Sequence, residues 1–128
     1  MSSERGAMAV AMAGVVALLS VVLVATASLG VAYSARVQAN IAADAGALAA
    51  AVATYPGAGR QSPVNEAQAV VARNGARLVS CACRVDPALG VRVVLVVAAV
   101  AVNVPVFGDL EIRGVSRAEF DPRRWLGR

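Results

Sequence analysis

No histidine and no lysine occur in this 128-residue chain, only 4% of it is aromatic, and its two cysteines stand one residue apart. Each shortage removes a class of chemistry. Without histidine no serine or cysteine nucleophile has an imidazole base, and neither cysteine has a basic partner close by in sequence. Two thiolates alone do not complete a tetrahedral zinc site, so zinc fingers and zinc hydrolases drop out. Gly57, Ala58 and Gly59 form a stretch too short for a phosphate loop, and the lysine of such a loop is missing. Glu111, Glu119 and Asp121 share a strand face with arginines, which is the pattern of surface ion pairs rather than of acid catalysis. The chain reads as non-enzymatic, with no cofactor and no metal.

The 12 basic residues are all arginine, set against 8 acids for a formal charge of +4. They are scattered, so a nucleic-acid partner is not expected. Only Arg123, Arg124 and Arg128 gather, and residues 123–128 read as a solvated basic tail. Cys81 and Cys83 would share one face of a strand, where a bridge between them is strained. They are expected as inert or intermolecular thiols.

What the chain has in abundance is apolar residues, 59% of the total, most of them alanine and valine. Residues 7–33 contain no charge, and none appears between Arg5 and Arg36. That run exceeds the roughly 20 residues needed to cross a hydrocarbon core. It is also longer than the apolar region of about 7–15 residues in a signal peptide. Ala25, Thr26 and Ala27 nonetheless form a weak cleavage signal that would leave a mature start near Ser28. Residues 1–6 read as a short cytoplasmic head and the part beyond the span as extracytoplasmic, a single-pass arrangement. Ala7, Ala11 and Gly14, with Ala13 and Ala17, are spaced for close helix approach in lipid, although alanine is abundant throughout.

Nothing breaks a helix from residue 34 until Tyr55, Pro56 and Gly57, so the span is expected to continue as a helical extension over 34–56, giving a rod of nearly fifty residues. Val37, Ile41, Leu48, Val52 and Tyr55 recur on one stripe, with Asp44 on it. Two readings of Asp44 fit: a hydrated face near the membrane, or a polar residue that sets the register of neighbouring helices.

Residues 57–62 form a linker. Ser62 and Pro63 supply an N-cap and a first-turn proline, and Asn74 and Gly75 close a helix whose apolar face is Val64, Ala67, Val71 and Ala72. Strands follow at 77–85, 91–104 and 110–120, with a turn at 86–90. Residues 93–102 are apolar on both faces, which asks for two coverings, one of them a partner chain or the lipid surface. The third strand alternates, with Glu111, Arg113, Arg117 and Glu119 on its outer face. The expected fold class is α+β, a long N-terminal transmembrane helix followed by an αβββ domain over 63–122.

Glu4, Arg5, Gly6 and Ala7, the apolar span, and then residues 35–49 with Gln38, Asp44, Ala47, Leu48 and Ala49 together resemble the start of TadE/TadG-like proteins of tight-adherence (Flp) pilus systems. The likeness covers about the first fifty residues. It implies a pseudopilin-like or minor-pilin-like role whose partners are lipid, other pilus or secretion-system membrane proteins, and further copies of the chain. It also marks Gly6 and Ala7 as a prepilin-peptidase site. Ala11 stands where processed members carry a glutamate, which implies an uncleaved accessory protein. A second function fits the same layout, a signal-anchored extracytoplasmic module that captures a secreted or envelope ligand.

Overall fold

The structure, a computed structural model, describes residues 2–127; Met1 and Arg128, the outer ends of the expected head and basic tail, lie outside it. Helix α1 (Ser2–Ala53) runs unbroken for 52 residues. At 1.5 Å per residue it is about 78 Å long. Alanine carries the lowest helix cost of any residue, and no proline interrupts the run before Pro56, so propensity and chain composition agree. Helix α2 (Pro63–Arg73) begins where Ser62 Oγ accepts from Asn65 N–H at 3.3 Å. The Glu66 carboxylate accepts from the linker amides of Arg60 and Gln61, both at 3.0 Å, and so ties the 57–62 linker to the first turn of α2. The helix closes at Asn74, followed by Gly75 at φ +72.

Three antiparallel strands in the order β1-β2-β3 form one sheet: β1 (Arg77–Ala82), β2 (Arg92–Val104) and β3 (Gly108–Phe120). The α+β expectation holds, with β1 three residues shorter than expected. A short helix α3 (Pro122–Leu126) follows where a solvated tail was expected. Its first turn is capped by Asp121, whose carboxylate accepts from Arg123 N–H at 3.0 Å, and Trp125 packs on Tyr55 with ring centroids 6.3 Å apart.

The sheet lies along the C-terminal half of α1, antiparallel to it through β2. Arg92, at the start of β2, donates from Nη1 to Thr54 O (3.2 Å), and Pro105, just past its end, accepts from Ser28 Oγ (3.1 Å). The lengths agree to within about 4 Å: 26 helical steps cover about 39 Å, and 13 strand steps about 43 Å. The side chain of Arg92 also donates to the carbonyls of Asp86 and Ala88 and stacks on Tyr55, pinning the 83–91 loop to the end of α1.

The core is built of small side chains. Ala42, Ala43, Ala47 and Ala50 of α1 are fully buried against Ala67 and Val71 of α2 and Val94, Val96 and Ala98 of β2, and Ala39 is fully buried beside Ala35 and Val100 in a second cluster. Alanine on the helix lets the backbone layers close up. At Gly114 the approach is tightest, because a Cβ there would meet the Ala39 carbonyl and the Asn40 amide of α1 directly. On α2 the buried residues are Pro63, Ala67 and Val71; Val64 and Ala72, expected on the same face, are exposed. The turn entering β3 has Pro105 second and Val106 third, is closed by Phe107 N–H donating to Val104 O at 3.1 Å, and puts Val106 at φ +74. This is the arrangement of a type II turn, whose third residue is ordinarily glycine. A β-branched residue there carries strain of about 1–2 kcal/mol.

Candidate functional site

Among the described residues, only the turn at Val106 and Phe107 comes up against the N-terminal half of α1, beside Ser20, Val21, Val24 and Ala25, and the rest of that half has no cover. Every residue from 6 to 27 is exposed, and the helix is long and apolar enough to cross a membrane. An apolar surface of this extent requires lipid or protein against it. Its few hydroxyls are satisfied inside the helix, as a hydrocarbon surrounding demands. Ser20 Oγ donates to Val16 O (2.8 Å), Thr26 Oγ1 to Val22 O (3.0 Å) and Leu23 O (2.9 Å), and Ser28 Oγ to Val24 O (2.8 Å). Gly6, Ala7, Ala11 and Gly14 all lie on this exposed helix, and nothing stands within 4 Å of where a Cβ would be at Gly6 or Gly14.

In the second half of α1 the two faces have opposite fates. The alanine face meets the sheet and α2, whereas Val37, Ile41, Leu48 and Val52 point away, from 36% exposed at Val52 to 65% at Leu48, with Asp44 exposed among them. Tyr55 falls outside this pattern, half-buried beneath Arg92 and beside Trp125. The larger side chains of the stripe are thus the surface, and the smaller ones the core. A period of 3.6 locates a face but not its partner; the decision falls to the sheet, which must come close enough for Gly114 to touch the helix backbone.

On the outer face of the sheet, Arg77, Ala99 and Arg113 stand side by side across the three strands. Glu111 Oε2 accepts from Arg77 Nη2 at 2.6 Å and Oε1 from Arg113 Nε at 3.0 Å. Arg77 and Glu111 belong to edge strands about 9–10 Å apart, so they reach each other over β2 because Ala99 and Ala101 leave room. This roof explains why Ala99 is 3% exposed on the outward face. Ion pairing across β2 was not legible beforehand, since it depends on register. The covering inferred from the doubly apolar strand is thus supplied in part by the chain itself. Val93, Leu95 and Val115 remain exposed beyond the roof.

The Arg77 guanidinium, and after it that of Arg113, holds the Glu111 carboxyl below its ordinary value. A depressed carboxyl contributes stability that is present above its unfolded value, about 4.3, and is lost as pH falls through the folded value. In a pH series of thermal melts, wild type should therefore lose more stability below that point than Glu111→Gln does. The difference should be small and should shrink in high salt, because the pair is solvent-screened. Identical acid limbs for the two proteins would remove the roof from the account.

Cys81 and Cys83 are joined to each other, which corrects the expectation of inert or intermolecular thiols. The physical reason is twofold. A bulge between Leu78 and Ser80 shifts the register and turns Cys81 inward opposite Val96. The strand then ends at Ala82, so Cys83 is free of extended geometry, and the Cα atoms close to 5.3 Å, inside the range of about 4.4–6.8 Å that a disulfide spans. Both side chains pack against the core cluster. Non-reducing electrophoresis should show no cysteine-linked dimer, and alkylation should require prior reduction. Because the closed loop is so short, Cys81→Ser with Cys83→Ser should cost only about 1–2 kcal/mol.

Among the described residues no group of three or more cysteine, aspartate or glutamate side chains is gathered for a metal ion. The site is a set of surfaces: an exposed apolar rod, a stripe of aliphatics around Asp44, and a half-roofed sheet. Fold and surfaces together define a small α+β module carried on a single long apolar helix. No family model, curated protein or solved structure matches this chain.

Proposed function

We propose that this chain is an accessory, pseudopilin-like or minor-pilin-like structural component of a tight-adherence pilus or a related secretion apparatus. It is anchored as a single-pass membrane protein, N-terminus cytoplasmic and module extracytoplasmic. It acts by packing its helix beside the helices of other membrane subunits and by protein contacts outside, without catalysis. The observation that carries the reading is the division of α1. One continuous helix gives its alanine face to its own domain and leaves residues 6–27 and the stripe of Val37, Ile41, Leu48 and Val52 exposed. Such a rod fits a structure assembled from parallel helices, in which Ala7, Ala11 and Gly14 permit close approach and Asp44 sets register. The Cys81–Cys83 pair supports an oxidising, extracytoplasmic setting. The likeness of residues 4–7 and 35–49 to TadE/TadG-like proteins supplies the particular apparatus.

Deletion of the gene should abolish or alter surface pili, with restoration by the wild-type chain; unchanged pili would sink the reading. Intact pili would instead favour an anchored binding module, for which the exposed Val93, Leu95 and Val115 beside the ion roof are the supporting feature. Mass mapping of the N-terminus from membrane fractions separates the remaining cases. A start at or beside Met1 marks an uncleaved anchor, one at Ala7 a peptidase-processed subunit, and one near Ser28 a secreted protein.

A further inference from the structure

The turn between β2 and β3 reaches back along α1 into the apolar run. Ser28 Oγ donates to Pro105 O at 3.1 Å, and Val106 and Phe107 share a groove with Ser20, Val21, Val24 and Ala25. Val106 is 85% exposed and Phe107 71%. If α1 crosses a bilayer, this depth is set by arithmetic. A hydrocarbon core of about 30 Å takes about 20 helical residues, so even a core beginning at Ala7 extends to about Thr26. Centring the core on the uncharged run brings it further along still. In both cases the tip lies at or inside the edge of the acyl region on the module's side.

Three features of the tip suit that place. Its backbone is satisfied in part within the protein: Pro105 has no N–H, its carbonyl shares the single Ser28 hydroxyl proton with Val24 O, and Phe107 N–H donates to Val104 O. Among the described residues the Val106 N–H and C=O and the Phe107 C=O have no partner, and groups left open in hydrocarbon are costly, so the tip belongs at the edge of the acyl region, within reach of headgroup water, and not deep in it. Val106 occupies the turn position where glycine is free of strain, so an apolar side chain is kept there against the backbone preference. One rung above, Asn103 Nδ2 donates to the Asp109 carboxylate at 2.8 Å, so polarity returns where headgroups begin.

We infer that Pro105, Val106 and Phe107 are inserted at the edge of the acyl region of the leaflet on the module's side, a second membrane attachment that sets the height of the sheet against α1. The occupant of the exposed tip is lipid. This rests on α1 spanning the bilayer and on nothing further in the proposed function.

The test places a single indole in the full-length chain reconstituted in phosphatidylcholine–phosphatidylglycerol vesicles. Trp125→Phe provides the background, Phe107→Trp reports the tip, and Leu19→Trp, in a separate protein, reports the middle of the span. Quenchers are lipids brominated near the headgroup end or near the methyl end of the acyl chain, and aqueous acrylamide. The expected result at position 107 is a blue-shifted emission, loss of intensity with the lipid brominated near the headgroup end, and protection from acrylamide; position 19 should respond to the deeply brominated lipid. If position 107 is quenched by acrylamide while position 19 responds to lipid, the span stands and the inserted tip is overturned. If neither position responds to lipid, the spanning helix fails and the inference with it. Protection of position 107 from acrylamide without lipid quenching, lost on dilution with excess lipid, would assign the tip to a second copy and overturn a lipid occupant. Val106→Asp with Phe107→Asp should leave α1 in the membrane yet raise protease cleavage of the β2–β3 turn; unchanged cleavage would also count against insertion.

Discussion

Gly114→Val should detach the sheet from α1. The added side chain meets the Ala39 carbonyl and the Asn40 amide, backbone atoms of a helix that cannot rotate aside. Overpacking among flexible side chains costs about 1–3 kcal/mol. Against a fixed backbone the loss should reach about 3 kcal/mol or more. The hairpin would have to move as a body, and β2 with it, since Gly114 pairs with Ala98 of the buried face. The measurement is urea denaturation of the full chain in micelles, followed through the emission of Trp125, which packs on Tyr55 at the end of α1. Gly114→Ala should fall between wild type and valine. A valine variant with the wild-type midpoint would mean that the helix and sheet do not touch at this point.

The second large effect sets the two faces of α1 against each other. Ala43 is fully buried beneath the sheet, so Ala43→Leu forces the layers apart and should cost about 1–3 kcal/mol. Ile41 is 54% exposed and Leu48 65%. Ile41→Ala and Leu48→Ala should each change the stability of the isolated chain by no more than about 0.5 kcal/mol. Under the proposed function they should instead weaken co-purification with partner membrane proteins, because the aliphatic stripe is the surface offered to neighbouring helices. The opposite ranking, with Ile41→Ala unfolding the module and Ala43→Leu tolerated, would show that the stripe is the core.

Much of this architecture was legible from local pattern. An uncharged run from residue 6 to Arg36 can be little other than an apolar helix, and it continues because alanine favours helix and proline waits until position 56. The caps of α2 were equally plain, since Ser62 with Pro63 and Asn74 with Gly75 act within a few residues of themselves. Alternation along 110–120 located the outer charged face of β3. The C-terminal turn of helix was not legible in the same way: local pattern gives a third strand over 110–120 and a basic tail over 123–128, and the Asp121 cap shows only where its carboxylate meets the Arg123 amide.

The sequence by itself determined the long rod, the αβββ order and the outward charges of the last strand, because each follows from spacing between near neighbours along the chain. Tertiary structure alone decided which face of the rod is core. Hydrophobic size pointed to Val37, Ile41, Leu48 and Val52, but the sheet seats on alanine, where Gly114 brings two backbones together. It also decided the Cys81–Cys83 bond, through a one-residue bulge, and the Arg77–Glu111 reach across Ala99, through strand register. Contacts between residues distant in sequence depend on how closely two surfaces approach, and periodicity carries no information about distance.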